Sequence, residues 1–250
     1  MRRRLLPSAV VVTGVAIALG LAGCGGSETV TQTVTTGSPT STAALTPTAP
    51  ATTAPATTAP GTTAPSTTAP SAALSESRDL PPQDAVAGVR PGTVMTLATA
   101  KEFVDALYAA GDPGKPAAQA RFEKAGYSAG ILRDQLGETP ATQIALLRTY
   151  ALTLRDSDAA QGEVDAGADE IRRTTQATIT DIALPDIPGA RGLRVEIDQA
   201  GTKGSVVFIT FAAGSNVYGL QGVSKSGAGL PQDEIVGAAR DLYEKVTAAP

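Results

Sequence analysis

A proline recurs at every fifth position across Ala51-Thr-Thr-Ala-Pro55, Ala56-Thr-Thr-Ala-Pro60, Gly61-Thr-Thr-Ala-Pro65 and Ser66-Thr-Thr-Ala-Pro70. Each proline removes a backbone donor, which blocks a helix interior and a central strand alike. The residues between the prolines are Ala and Thr, with one Gly and one Ser, so little apolar area can be buried to offset chain entropy. The surrounding span from Gly25 to about Arg78 is equally poor in large apolar residues. It reads as an extended, partly polyproline-like stalk, about 150 Å long if about 50 residues adopt the polyproline rise and far shorter as a coil. Thr-rich, Pro-interrupted sequence is also the composition of mucin-like glycosylated stalks. Any packed core is therefore confined to the sequence that follows.

What precedes the stalk is a different signal. Arg2-Arg3-Arg4 is followed by an apolar run from Leu5 to Leu19, interrupted by Pro7, Ser8, Thr13 and Gly14, and then by Leu21-Ala22-Gly23-Cys24. A core of about 15 residues is short for a spanning helix, which needs about 20, and it suits the apolar region of an export signal. The stretch Leu21-Ala22-Gly23-Cys24 resembles the lipobox of bacterial lipoproteins. That resemblance implies a diacylglyceryl thioether on the Cys24 thiol and signal-peptidase cleavage between Gly23 and Cys24. It also implies an exposed amine that can be acylated, palmitate being one such chain. Two acyl chains at about 0.8 kcal/mol per methylene hold a protein durably on a bilayer. The expected location is the extracytoplasmic face of the cell membrane, and the expected partner is the membrane through the lipid on Cys24.

Composition narrows the chemistry. The chain has no His, which removes the commonest general base and metal ligand. Its single Cys excludes an intramolecular disulfide and a Cys-cluster metal site. Without Arg2, Arg3 and Arg4, 17 Lys and Arg face 24 Asp and Glu, a formal charge of −7. Nucleic acid would repel such a product, and no basic cluster compensates. No cofactor, metal site or nucleic-acid partner is expected.

Regular patterning runs from Pro91 to about Ala248, about 155 residues, enough for a core. Thr99-Ala-Lys-Glu102 has the form of a capping box, followed by Phe103, Val104, Leu107 and Tyr108 on one helical face, with Gly111 ending the helix. A second helix is expected over 116–125, closed by Gly126. Tyr127 to Leu136 reads as a strand. From Gln143 to Leu154 the even positions Ile144, Leu146, Tyr150, Leu152 and Leu154 are large and apolar and the odd ones mostly Thr and Ala, the pattern of a half-buried strand. Asp158 with Gln161 reads as a capping box for a helix to about Arg173, with Ala160, Val164, Ala168 and Ile171 inward; Gly162 and Gly167 weaken it by up to about 1 kcal/mol each. Strands at 177–184, 189–198, 206–211 and 217–223 form a meander with turns at 200–204 and 213–216. A last helix starts at Pro231 and carries Ile235, Val236, Ala239, Leu242, Tyr243 and Val246 on one face.

The expected class is α+β, helices packed on a mostly antiparallel sheet. The divisions are signal peptide 1–23, lipidated Cys24 with a disordered linker over 24–90, and folded domain 91–250. This layout is similar to small α/β-sandwich domains of actinobacterial lipoproteins and to the PsbP/Mog1-like fold. The similarity rests on element order over about 150 residues, with no motif to carry a site residue across.

Gly227-Ala-Gly229 lacks the third glycine of a dinucleotide loop, since Gln232 stands there, and Asp233 and Glu234 at the helix start repel phosphate. Asp156, Asp158, Glu163 and Asp165 fail the EF-hand pattern, which puts Gly sixth and Glu twelfth, and read as helix-start acids. Glu196 and Asp198 alternate with Val195 and Ile197 as the wet face of a strand. Arg148 breaks its pattern, lying in register with Leu146 and Tyr150. A buried guanidinium is costly unless paired, so it sits at a bulge, pairs with a carboxylate such as Asp181 or Glu196, or reaches into a cleft to hold an anionic ligand.

These readings favour a non-catalytic interaction domain displayed in the cell envelope. The alternative is a carrier of a small hydrophobic molecule or lipid, with a cavity of about 300 Å³ or more between sheet and helices. An enzyme would have to work with carboxylates, Lys or Tyr.

Overall fold

The named strands of the domain join one antiparallel sheet. A computed structural model of the chain describes residues 73–138, 142–175, 177–199, 202–225 and 229–248. The signal segment, Gly23, Cys24, the pentapeptide array and most of the Gly227-Ala-Gly229 loop lie outside the described residues.

The elements are α1 (Glu76–Asp79), β1 (Val94–Leu97), α2 (Ala100–Leu107), α3 (Lys115–Lys124), β2 (Ala129–Leu136), β3 (Ile144–Thr153), α4 (Ser157–Thr174), β4 (Thr178–Asp181), β5 (Arg191–Gln199), β6 (Thr202–Ala213), β7 (Asn216–Ser224) and α5 (Gln232–Thr247). The strand order is β1-β2-β3-β7-β6-β5-β4, every neighbour antiparallel. This is the α+β class that patterning indicates.

Local chemistry accounts for the helices. The Thr99 hydroxyl accepts from the Glu102 amide at 3.2 Å and the Glu102 carboxylate accepts from the Thr99 amide, a complete capping box for α2. That helix ends at Leu107, before Gly111. Gly126 follows α3 with φ +76°, the left-handed conformation that a helix stop requires. The cap of α4 is Asp156, whose Oδ1 accepts from the Ala159 amide at 2.7 Å, and not Asp158. Gln161, the expected partner of that cap, instead donates to the Gly189 carbonyl. The 213–216 turn is present, with Gly214 at φ +58°; of the other expected turn, residues 200–201 lie outside the described residues.

Two packed layers cover the sheet. On one face α5 and the segment after α1 close over Ile144, Leu147, Val207, Ile209, Phe211 and Tyr218. On the other, α2, α3 and α4 enclose Phe103, Phe122, Leu132, Leu152, Val164 and Val217. A smaller apolar group, Val195, Val206 and Val223, lies on this second side toward Ile171.

First, packing begins before residue 91: Leu80, Val86 and Val89 are buried in the same cluster as Ile235 and Leu242. Prolines 81 and 82 and the absence of periodicity hid this segment, which packs as an irregular strap. Second, β3 is covered on both faces. Leu147 and Ala151 face one cluster and Leu152 the other, because β3 is the third of seven strands rather than one side of a two-layer pair. A register shift between Ile144 and Leu146 puts Ile144 in the first cluster with Leu147. Third, the strand expected over 177–184 shortens to Thr178–Asp181 at the edge of the sheet.

Candidate functional site

Two adjacent cross-strand rows make the floor of a cleft on the face covered by α2, α3 and α4. One row runs Tyr150, Gly219, Thr210, Arg191 and the other Gln221, Phe208, Leu193. In an antiparallel sheet such opposed residues stand side by side on one face. Gly219 is what lets Tyr150 lie flat: a Cβ on residue 219 would fall 2.1 Å from Tyr150 Cζ.

The walls come from Leu107 and Tyr108 at the end of α2, Arg121 and Phe122 of α3, and Glu163, Gly167, Ala168, Glu170 and Ile171 of α4. The cleft is partly open to the surface and its volume is about 140 Å³. Phe122 and Tyr150 both pack edge-on against Phe103, at 5.2 and 5.5 Å between ring centres, which stiffens this end of the cleft.

A charged cluster sits in the wall. Arg121 Nε donates to Glu163 Oε2 at 2.9 Å and Oε1 at 3.1 Å, and Arg121 Nη1 donates to Glu170 Oε2 at 2.5 Å. The Glu163 side chain is only 7% exposed. Burial pushes its carboxyl up from the ordinary value, against the opposing pull of Arg121. Arg121 is itself partly desolvated, yet Glu163 and Glu170 hold it firmly ionised. Tyr108 beside them is pushed up to about 12, first by burial and then by the Glu170 charge. Arg191 is tied across the opening to Asp165 at 2.7 Å.

Sequence reading missed this cluster and took Glu163 for a helix-start acid. The signal was there. Glu163 stands three residues after inward Ala160 and next to Val164, and Glu170 follows one turn-pair later beside Ile171. Arg121 gave no signal, since its partners lie 42 and 49 residues away.

Arg148 pairs with a carboxylate, as expected of a guanidinium in that position, but the partner is neither Asp181 nor Glu196. Its Nε and Nη2 donate to the two carboxylate oxygens of Asp134, both at 2.7 Å, and Nη1 donates to the Leu107 carbonyl. Asp134 is its direct cross-strand neighbour on β2. Asp181 pairs instead with Arg172 and Glu196 with Arg194. Arg148 is not among the residues that line the cleft.

Two more open depressions, about 550 Å³ each, lie on the surface. One is bordered by Asp165, Asp169, Arg172 and Asp181, the other by Glu76, Arg133 and Lys245. Among the described residues no group of three or more His, Cys, Asp or Glu is placed to hold a metal ion. No described helix is long and apolar enough to cross a membrane.

No known protein family matches the chain, and no curated protein is significantly similar to it. Among solved structures, the extracellular domain of PknH from Mycobacterium tuberculosis is similar at 12% identity with a TM-score of 0.43. The match covers 69% of this chain and 97% of that one. A likeness so distant carries no argument about the cleft.

Proposed function

We propose that this chain is a lipoprotein of the cell envelope, anchored by lipid on Cys24 to the extracytoplasmic face of the membrane, whose α+β domain works through contacts rather than catalysis. One observation carries the anchoring. The only Cys follows Leu21-Ala22-Gly23 directly at the end of an apolar run of signal-peptide length. The stalk then supplies reach. Against catalysis stand the lack of His and the commitment of the only thiol to lipid. Mass spectrometry of the mature N-terminus tests the anchor: a lipidated Cys24 is expected, and Cys24→Ala leaves the signal segment uncleaved. An unmodified Cys24, or a cytosolic chain with residues 1–23 intact, overturns the proposal.

The cleft favours a second reading, ligand binding between sheet and helices. At about 140 Å³ it is well below the size that accommodates a lipid or a drug-sized molecule. Its occupant is correspondingly small.

A further inference from the structure

We propose that the cleft under α4 binds a small molecule consisting of one six-membered ring with a positively charged amine on a short arm. The inference deepens the ligand-binding reading just given and is independent of the lipid anchor.

Size argues for the ring. The cleft holds about 140 Å³, close to the volume of about 150 Å³ at which an apolar protein cavity takes up benzene. Tyr150, Leu193 and Phe208 supply the apolar part of a floor that also holds Thr210, Gln221 and Arg191, and Phe122 and Ile171 the apolar part of the walls.

Gly167 argues that the room has a use. Glycine inside a helix is unfavourable relative to alanine. Gly167 lines the cleft, and a Cβ there would meet no atom within 4 Å. Neither crowding nor a left-handed backbone calls for glycine at that position. What its missing side chain supplies is open space in the cleft wall. Gly162 in the same helix is equally uncrowded but lies outside the cleft, which makes it a matched control.

The charge of the amine follows from the wall cluster. Arg121 and Arg191 are met by Glu163, Glu170 and Asp165, one carboxylate in excess. Glu170 uses Oε2 for Arg121 and leaves Oε1 free of any protein donor among the described residues. The site where a Cβ of residue 114 would stand is 3.9 Å from that Oε1 and 3.1 Å from Asp112 Oδ1. A second carboxylate is therefore close by. Asp112, just outside the residues that line the cleft, is 7% exposed; its Oδ1 accepts from the Gly114 amide at 2.7 Å and its Oδ2 has no partner among the described residues. A cation beside Glu170 would relieve this excess, whereas an anion would add to it.

Calorimetric titration of the full chain with 2-phenylethylammonium, benzene and phenylacetate tests the proposal. Phenylethylammonium should bind at least tenfold more tightly than phenylacetate, with benzene between them. Gly167→Leu should weaken ring binding at least tenfold, while Gly162→Leu leaves it unchanged. Gly167→Ala provides a check on folding, because it should raise the melting temperature while weakening binding. Three results would each overturn the proposal: no probe binds, phenylacetate binds as well as the amine, or Gly167→Leu binds like the natural chain. None of them touches the anchoring proposal, and a non-lipidated Cys24 would not touch this one.

Discussion

Tyr218 donates a hydrogen bond from its hydroxyl to Asp79 Oδ1 at 3.1 Å, joining β7 to the first helical turn across 139 residues of sequence. Asp79 is fully buried. Its carboxylate also accepts from the Ser75 amide at 2.7 Å and from Arg78 Nη2 at 2.8 Å. The Tyr218 ring stacks on Phe211 with centres 5.1 Å apart. This one carboxylate ties α1 to the core of the domain.

Asp79→Ala should therefore destabilise the domain by about 2–3 kcal/mol, since it leaves the buried Tyr218 hydroxyl without its acceptor. Urea unfolding measures it. Tyr218→Phe combined with Asp79→Ala should cost clearly less than the sum of the two single changes, because both remove the same bond.

The strap between α1 and β1 should prove part of the fold. A chain that starts at residue 91 lacks Leu80, Val86 and Val89, each buried in the core. Burial of each contributes about 1.5–3 kcal/mol, so the loss is comparable with the whole stability of a typical domain. Circular dichroism on heating should show a cooperative transition for a chain started at residue 73 and none for one started at residue 91. Equal melting of the two would refute the assignment.

The Arg148–Asp134 pair should be a modest stabiliser. Its side chains are 15% and 32% exposed, and the geometry is bidentate. A double-mutant cycle with Arg148→Met and Asp134→Asn should give a coupling of about 0.5–1 kcal/mol. If ligand binding in the cleft were lost along with the pair, Arg148 would have to be given a role that its bonds do not suggest.

Gly219 should tolerate no side chain while Tyr150 is present, given the 2.1 Å approach. Gly219→Ala is expected to cost about 1–3 kcal/mol through overpacking. Adding Tyr150→Val should recover most of that loss in urea unfolding, at the expense of the cleft floor.

Alkali should unfold the protein through its tyrosines. Tyr108 is pushed up to about 12 by burial, and Tyr127, Tyr150 and Tyr218 are also pushed up from the ordinary 10.0 by burial. Folding thus favours the neutral phenols. Their contribution to stability is complete below pH 10.0 and is lost as pH rises through the raised values, which for Tyr108 is about 12. Tyrosinate absorbance should rise in step with loss of circular dichroism. Titration of these four at the ordinary value in a still-folded protein would contradict their burial.

Much of this molecule was legible locally. The proline array, the Thr99–Glu102 box, the Gly126 stop and the apolar face of α5 each depend on residues within a few positions of one another. Backbone stereochemistry and helical periodicity act at that range, so one sequence sufficed for the four helices α2 to α5, the meander and the α+β class, though not for the single turn α1. The apolar run ending at Cys24 is legible in the same way.

Tertiary structure decided the rest. Arg121 meets Glu163 and Glu170 only because α3 and α4 lie over one sheet face, and Arg148 meets Asp134 only because β2 and β3 pair in that register. Periodicity reports which face of an element is buried but not what lies opposite it. That depends on the strand order β1-β2-β3-β7-β6-β5-β4, which places β3 beside β7 although α4 and three strands separate them in sequence. The cleft, its floor rows and the space left by Gly167 all arise from that adjacency, because an ion pair or a cavity is a property of two surfaces brought together, and neither surface alone encodes it.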